Sequence, residues 1–184
     1  LGDKATRPWP AIEPFPRHLI GALHTANGDT YALRPIRPED AAALVAFGAQ
    51  CDPAHLRLRF HGSFGQMTVE NAARLTQIDY DREMALLALE VNDPNAIVGI
   101  VRVVFDSDFT KAEYAIIVRS DKQAGGLGHA LMHRMLEYAR TRGVKAVWGD
   151  ILLENRGMID LARDCGAELG APDGGVIRST IVLS

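Results

Sequence analysis

The densest cluster of potential chemistry in this sequence lies between residues 113 and 130. An apolar, β-branched run, Ile116-Ile117-Val118, is followed by Gln123-Ala124-Gly125-Gly126-Leu127-Gly128-His129-Ala130, which leads straight into a segment of helical period. Glycines let a backbone approach a ligand closely, and the first amides of a helix have no partner within it and lie at its positive dipole end. Together these features suit an anion, a pyrophosphate in particular. The alternative is an ordinary tight strand-to-helix connection, which glycines serve equally well. Spacing excludes two nucleotide sites: Gly126-Leu127-Gly128 lacks the third glycine of a dinucleotide fingerprint, and no Gly-Lys-Ser/Thr closes a P-loop.

Other reactive side chains admit two readings each. Glu113, at the start of the strand that feeds the glycine turn, is a candidate base or an exposed strand-end carboxylate. The block Asp79, Asp81, Arg82 and Glu83 would attract a cationic acceptor, or is a solvated loop before a strand. Arg57 and Arg59 are candidate substrate contacts or solvated cations. His129 and His133 stand four apart on one helix, with no glutamate beside them and no third ligand, so no metal is expected and His129 reads better as a phosphate neighbour. Cys51 and Cys165 form no metal-ligand or disulfide pattern and read as small buried hydrophobes.

These residues need elements to hold them. Leu127 to Arg142 places Leu127, Ala130, Leu131, Met135 and Tyr138 on one helical face, with Gly143 as the stop. Strands are expected over Met84–Val91, Ala96–Phe105, Ala112–Val118 and Ala146–Leu152, where β-branched and aromatic residues concentrate. Asn27-Gly28-Asp29 between two apolar stretches predicts an opening hairpin. Helix starts are expected at Pro38-Glu39-Asp40, at Asp52-Pro53 and at Thr68, and a further helix from Asn155 to Cys165 ended by Gly166. A strand pair is expected around Asp173-Gly174-Gly175. The order implies an α/β (α+β) fold, a mixed sheet with helices on both faces. The expected organisation is a proline-rich leader over residues 1–20, then one catalytic domain over 21–184.

Composition narrows the partners. The formal net charge is −3, with acids and bases interspersed, which gives neither a basic stripe for nucleic acid nor a polybasic face for lipid. No apolar run approaches the roughly 20 residues of a membrane helix, and no signal peptide pattern opens the chain. A soluble, cytoplasmic domain is the expectation.

Gln123-Ala124-Gly125-Gly126-Leu127-Gly128 matches Q-x-x-G-x-G, and with Ile116-Ile117-Val118 before it and Asn155-Arg156-Gly157-Met158 after it the chain resembles the GNAT acetyltransferase superfamily from Thr30 to Leu183. The resemblance implies a mixed, mostly antiparallel GNAT sheet and acetyl-CoA as co-substrate. It also implies pyrophosphate at the glycine loop through Ala130, pantetheine along Ile116–Val118, Asn155 and Met158 at the CoA arm, and Glu113 as general base. The blocks Arg34-Pro35-Ile36-Arg37-Pro38-Glu39-Asp40, Leu56-Arg57-Leu58-Arg59-Phe60 and Leu75 through Leu86 are similar to the acetyltransferase domain of bacterial Pat-type protein lysine acetyltransferases. That likeness implies a lysine acceptor on an AMP-forming acyl-CoA synthetase. It also implies fusion to an acyl-CoA-synthetase-like region, whose junction Ile12 to Leu19 resembles.

The sequence departs from the family at three positions. Gly125 stands where many relatives carry arginine, and Ala124 where glycine is common, so one phosphate-facing charge is missing unless Arg119 or His129 supplies it. Ala162 aligns with a tyrosine that serves many relatives as general acid. The alternatives to a lysine acceptor are a small amine, a protein N-terminus, or a non-catalytic acyl-CoA sensor.

Overall fold

The computed structural model describes residues 14–57 and 67–184. Residues 1–13, most of the expected leader, fall outside them. So do Leu58, Arg59, Phe60 and the side chain of Arg57, and with them the acceptor contact expected at Arg57 and Arg59.

The opening hairpin is β1 (Gly21–His24) and β2 (Thr30–Pro35), paired antiparallel across Asn27-Gly28, with Gly28 at φ 89°. A 3₁₀ turn at Pro38–Asp40 starts α1 (Ala41–Ala49), and α2 (Pro53–Arg57) and α3 (Val69–Thr76) follow. Thr68 caps α3 by accepting the Asn71 N–H at 3.1 Å. Three long strands come next, β3 (Glu83–Leu89), β4 (Ile97–Phe105) and β5 (Lys111–Val118). Then come α4 (Leu127–Thr141), β6 (Ala146–Leu152), α5 (Arg156–Asp164), β7 (Glu168–Leu169) and β8 (Val176–Val182). Gly143 and Gly166 follow α4 and α5 at φ 77° and 86°, the left-handed conformation that ends a helix most cheaply in glycine.

All strands join one sheet in the order β1-β2-β3-β4-β5-β6-β8-β7, antiparallel at every pairing except β5 with β6. The expected strand pair near Asp173 is therefore β8 with the two-residue β7, extended by a single bridge from Asp173 to Val176. The apolar run in β3 is continuous because both faces are covered. Met84, Leu86 and Ala88 join the cluster under α4 and α5, while Ala85, Leu87 and Leu89 join Leu44 and Phe47 of α1 and Leu75 of α3 on the other side. Leu131, Met132 and Met135 of α4 are fully buried in the first cluster, whereas Ala130 is only partly covered. Gly99 in β4 makes that contact possible, since a Cβ there would lie 2.9 Å from Leu131 Cδ1. No helix among the described residues is long and apolar enough to cross a membrane.

Candidate active site

β5 and β6 run side by side for only three pairs, Lys111 with Ala146, Ala112 with Val147 and Glu113 with Trp148. Beyond Glu113 the strands part, while β5 stays paired to β4 as far as Val118 with Gly99. The sheet is forked, and the β6-facing edge of residues 114–118 has no ladder partner among the described residues. A cleft opens there, lined by Ile116, Ile117, Val118, Gln123, Gly126, Gly128, His129, Asn155 and Met158, with Gly157 and Leu161.

The helix facing the fork starts without a cap. Gly126, the residue before α4, sits at φ 82° against the β1–β2 turn, where a Cβ would be 3.7 Å from both Ala26 N and Thr25 Cβ. No side chain caps α4, and Ala130 N–H is the first to close the helix, onto Gly126 O at 3.1 Å. The amides of Leu127, Gly128 and His129 thus form the free first turn, and Ala130, expected to share in anion binding, has its N–H already spent. Leu127 contributes only backbone, because its side chain is 1% exposed in the core. Ala124 and Gly125 do not line the cleft, and Gly125 lies beside Lys122 O and the Asp29 carboxylate.

At the far wall, Asn155 Oδ1 accepts the Met158 N–H at 3.2 Å and caps α5, which leaves its Nδ2 without a partner among the described residues. Gly128 permits α4 to approach α5 closely, since a Cβ there would stand 2.7 Å from Leu161 Cδ1. Leu161 is a cleft residue that no motif in the sequence singles out. The available signal was its place one turn beyond Met158 on the same helix face.

Glu113 does not line the cleft. It is half-buried at the closed end of the fork, level with Val104 and Trp148, and near Arg178, whose pKa is raised chiefly by its hydrogen bond to Asp150 with a smaller contribution from the Glu113 charge. Arg178 lies 4.2 Å over the Trp148 ring and donates to both Asp150 oxygens, at 2.9 and 3.1 Å.

Several expected ligand contacts have other occupations. Arg119 donates to Asp121 at 2.6 Å and to Glu90 at 3.4 Å, and the Asp121 hydrogen bond, outweighing burial, keeps its pKa raised; it anchors the loop before the glycine turn instead of supplying the missing phosphate charge. His129 lines the cleft but its Nε2 is 3.0 Å from Asp164. The charged block is structural at three of its members. Asp81 pairs with Arg142 at 2.8 Å, Glu83 with the buried Arg102 at 2.6 Å, and Arg82 lies 4.8 Å over the Phe109 ring. Asp79 caps the same turn by accepting the Asp81 N–H. Ala162 is fully buried, so the aligned position offers no acid. Burial pushes the Cys51 thiol up to about 12, and it raises that of the half-covered Cys165 as well. Among the described residues no group of three His, Cys, Asp or Glu side chains is placed to hold a metal ion.

A mostly antiparallel sheet, forked at its one parallel pair beside an uncapped helix start, is the fold and site of a GNAT transferase. The chain belongs to the acetyltransferase (GNAT) domain family, which matches residues 31–168. It is 30% identical over 145 residues to an acetyltransferase of Pseudomonas aeruginosa, covering 78% of this chain and 77% of that one. Its structure is similar to the GNAT domain of S. lividans PAT, with a TM-score of 0.80 and 25% identity over 92% of this chain and 99% of that one. A putative acetyltransferase from Salmonella typhimurium, solved with acetyl-CoA, shares the fold at a TM-score of 0.67 and 18% identity, over 85% of this chain and 95% of its own.

Proposed function

We propose that this acetyltransferase draws its acetyl group from acetyl-CoA and delivers it to a lysine side chain of another protein, with AMP-forming acyl-CoA synthetases as the acceptor class. One observation carries the donor half: the fork between β5 and β6 opens directly onto the three uncapped amides of α4. Those amides fit a pyrophosphate, the unladdered edge of Ile116–Val118 fits an amide-bearing pantetheine arm, and the spare Nδ2 of Asn155 fits a carbonyl on that arm. The acetyl-CoA bound in the Salmonella typhimurium protein of the same fold supports this donor. The acceptor half rests on the Pat-like sequence blocks and on the likeness to S. lividans PAT.

In the transfer, the acceptor nitrogen forms a bond to the acetyl carbon and the carbon–sulfur bond breaks. The amine proton passes to Glu113, directly or through a water, and the sulfur leaves with the electron pair. A thiol of pKa about 8.5 departs as thiolate without an acid, which is compatible with Ala162 in the core. The test is thiol release from acetyl-CoA in the presence of a purified AMP-forming acyl-CoA synthetase, with the acetylated lysine mapped by mass spectrometry. Release only with small amines or N-terminal peptides would move the acceptor, and binding without release to any amine would make the domain an acyl-CoA sensor.

A further inference from the structure

The fork has a fastener. Glu113 is the last β5 residue paired with β6, and the next side chain, Tyr114, is 1% exposed. Its hydroxyl is 2.7 Å from Ser179 Oγ, and Ser179 is itself fully buried. Ser179 lies on β8, directly across from Gly149 of β6. The tyrosine therefore reaches from β5 past β6 to the strand beyond it. Gly149 makes that passage possible: a Cβ there would stand 3.2 Å from Tyr114 Cε1 and Cζ and 2.8 Å from Tyr114 O. The last of these is a backbone atom of the neighbouring strand, so it cannot swing aside.

We propose that Tyr114, Gly149 and Ser179 form a strut that fixes where β5 and β6 part, and so positions the free edge of β5 and the adjoining Glu113 for acyl transfer. The inference rests on the proposed donor site for its catalytic consequence, but not for its structural one. Ladder bonds hold β5 to β6 only up to Glu113. Past that point the buried Tyr114–Ser179 bond ties the β5 arm to the far side of the sheet. A buried hydroxyl pair is costly to leave half-made, which favours a single geometry at the branch. These three are positioning residues, since none of them lines the cleft. Displacement of reacting groups by about 1 Å can cost about 10²-fold in rate, so an unfastened arm has a kinetic signature.

The experiment compares Tyr114→Phe, Ser179→Ala and Gly149→Ala with the parent enzyme. Hydrogen exchange on the free protein reads the strut without any ligand, and acetyl-CoA kinetics at saturating acceptor, well below the melting temperature, read its consequence. The expected result is faster exchange in peptides spanning residues 114–118 in all three variants, with kcat lowered roughly 10- to 100-fold. The double variant Tyr114→Phe/Ser179→Ala should be no worse than either single one, because one bond is lost in each case. Unchanged exchange overturns the strut. Faster exchange with kcat and KM within twofold of the parent leaves a merely structural bond and overturns the positioning role. If the parent releases no thiol from acetyl-CoA with any amine, the donor reading has failed instead, and the exchange result alone decides whether the strut exists.

Discussion

Asn155 and Met158 are joined by a hydrogen bond from the Met158 amide to the Asn155 side-chain oxygen at 3.2 Å, and this bond fixes which end of the asparagine faces the cleft. With Oδ1 spent on the helix, only the Nδ2 donor remains for a ligand. Asn155→Asp keeps the cap and removes the donor, whereas Asn155→Ala removes both. Calorimetric titration with acetyl-CoA should show both variants weakened, by about 1–2 kcal/mol for the lost hydrogen bond. Only the alanine should lose stability as well, by about 1 kcal/mol. An aspartate variant of normal affinity would reduce Asn155 to a cap.

Gly128 and Leu161 are in similarly close relation across the cleft wall. A methyl at 128 must move Leu161 Cδ1 from 2.7 Å, either into the cleft or by parting α4 from α5. Gly128→Ala should therefore weaken acetyl-CoA binding, and Leu161→Ala in the same chain should restore most of it by vacating the space. Gly128→Glu adds bulk and like charge beside the free amides and should abolish binding. Normal affinity in the glutamate variant, measured by the same titration, would remove the pyrophosphate from this turn.

The contrast between these neighbours shows what could be read from sequence. α4, its glycine stop, the opening hairpin and the four strands β3 to β6 were legible to within a residue or two, because amphipathic period, Asn-Gly turns and β-branched runs are local signals. The glycine loop and Asn155 were legible as motifs. Close approaches between distant segments were not. Gly99 against Leu131 and Gly149 against Tyr114 depend on which strands lie under which helix, and a glycine inside a strand carries no mark of its partner. Nor could charge patterning tell a solvated Glu83 from one half-covered and paired with the buried Arg102, nineteen residues on in β4. The Arg34–Asp40 block signalled a family, and the structure gives it a packing role.

That role has its own prediction. Arg34 grips Asp40 through two hydrogen bonds of 2.7 Å, and Asp40 also accepts the Arg37 N–H at 2.7 Å, with the two paired side chains largely buried at the start of α1. Breaking one partner of a buried pair strands the other charge. Asp40→Ala should cost ~3–5 kcal/mol by urea denaturation. Adding Arg34→Met to the same chain should recover part of that loss, since the stranded cation is gone. A cost below about 1 kcal/mol would mean the pair behaves like an exposed one.

The proposal that Glu113 is the base makes the sharpest demand on the site. A free lysine has pKa ~10.4 and a free glutamate ~4.3, so direct transfer between them is uphill by about 6 units, or roughly 8 kcal/mol. Against an enzymatic barrier that is too much to leave uncompensated. Expulsion of water from the fork by the two substrates narrows the gap, and a bridging water shortens the path. The position of Glu113 suits both: it is half-buried at the closed end of the fork, where the last ladder pair with Trp148 gives way to the open edge of β5. Glu113→Gln preserves shape and removes the base. Steady-state kinetics at neutral pH should show kcat reduced by ~10²–10⁴, while acetyl-CoA affinity stays near the parent value. Raising the pH should partly rescue the variant, because a growing fraction of the acceptor amine arrives already deprotonated and no longer needs a proton acceptor. The parent should gain less over the same range. Near-normal turnover in Glu113→Gln at neutral pH would transfer the role to Asp79 or to solvent, since Asp81 and Glu83 are held in ion pairs with Arg142 and Arg102. A variant that lost acetyl-CoA affinity along with turnover would instead show Glu113 shaping the donor site, with proton transfer still to be placed.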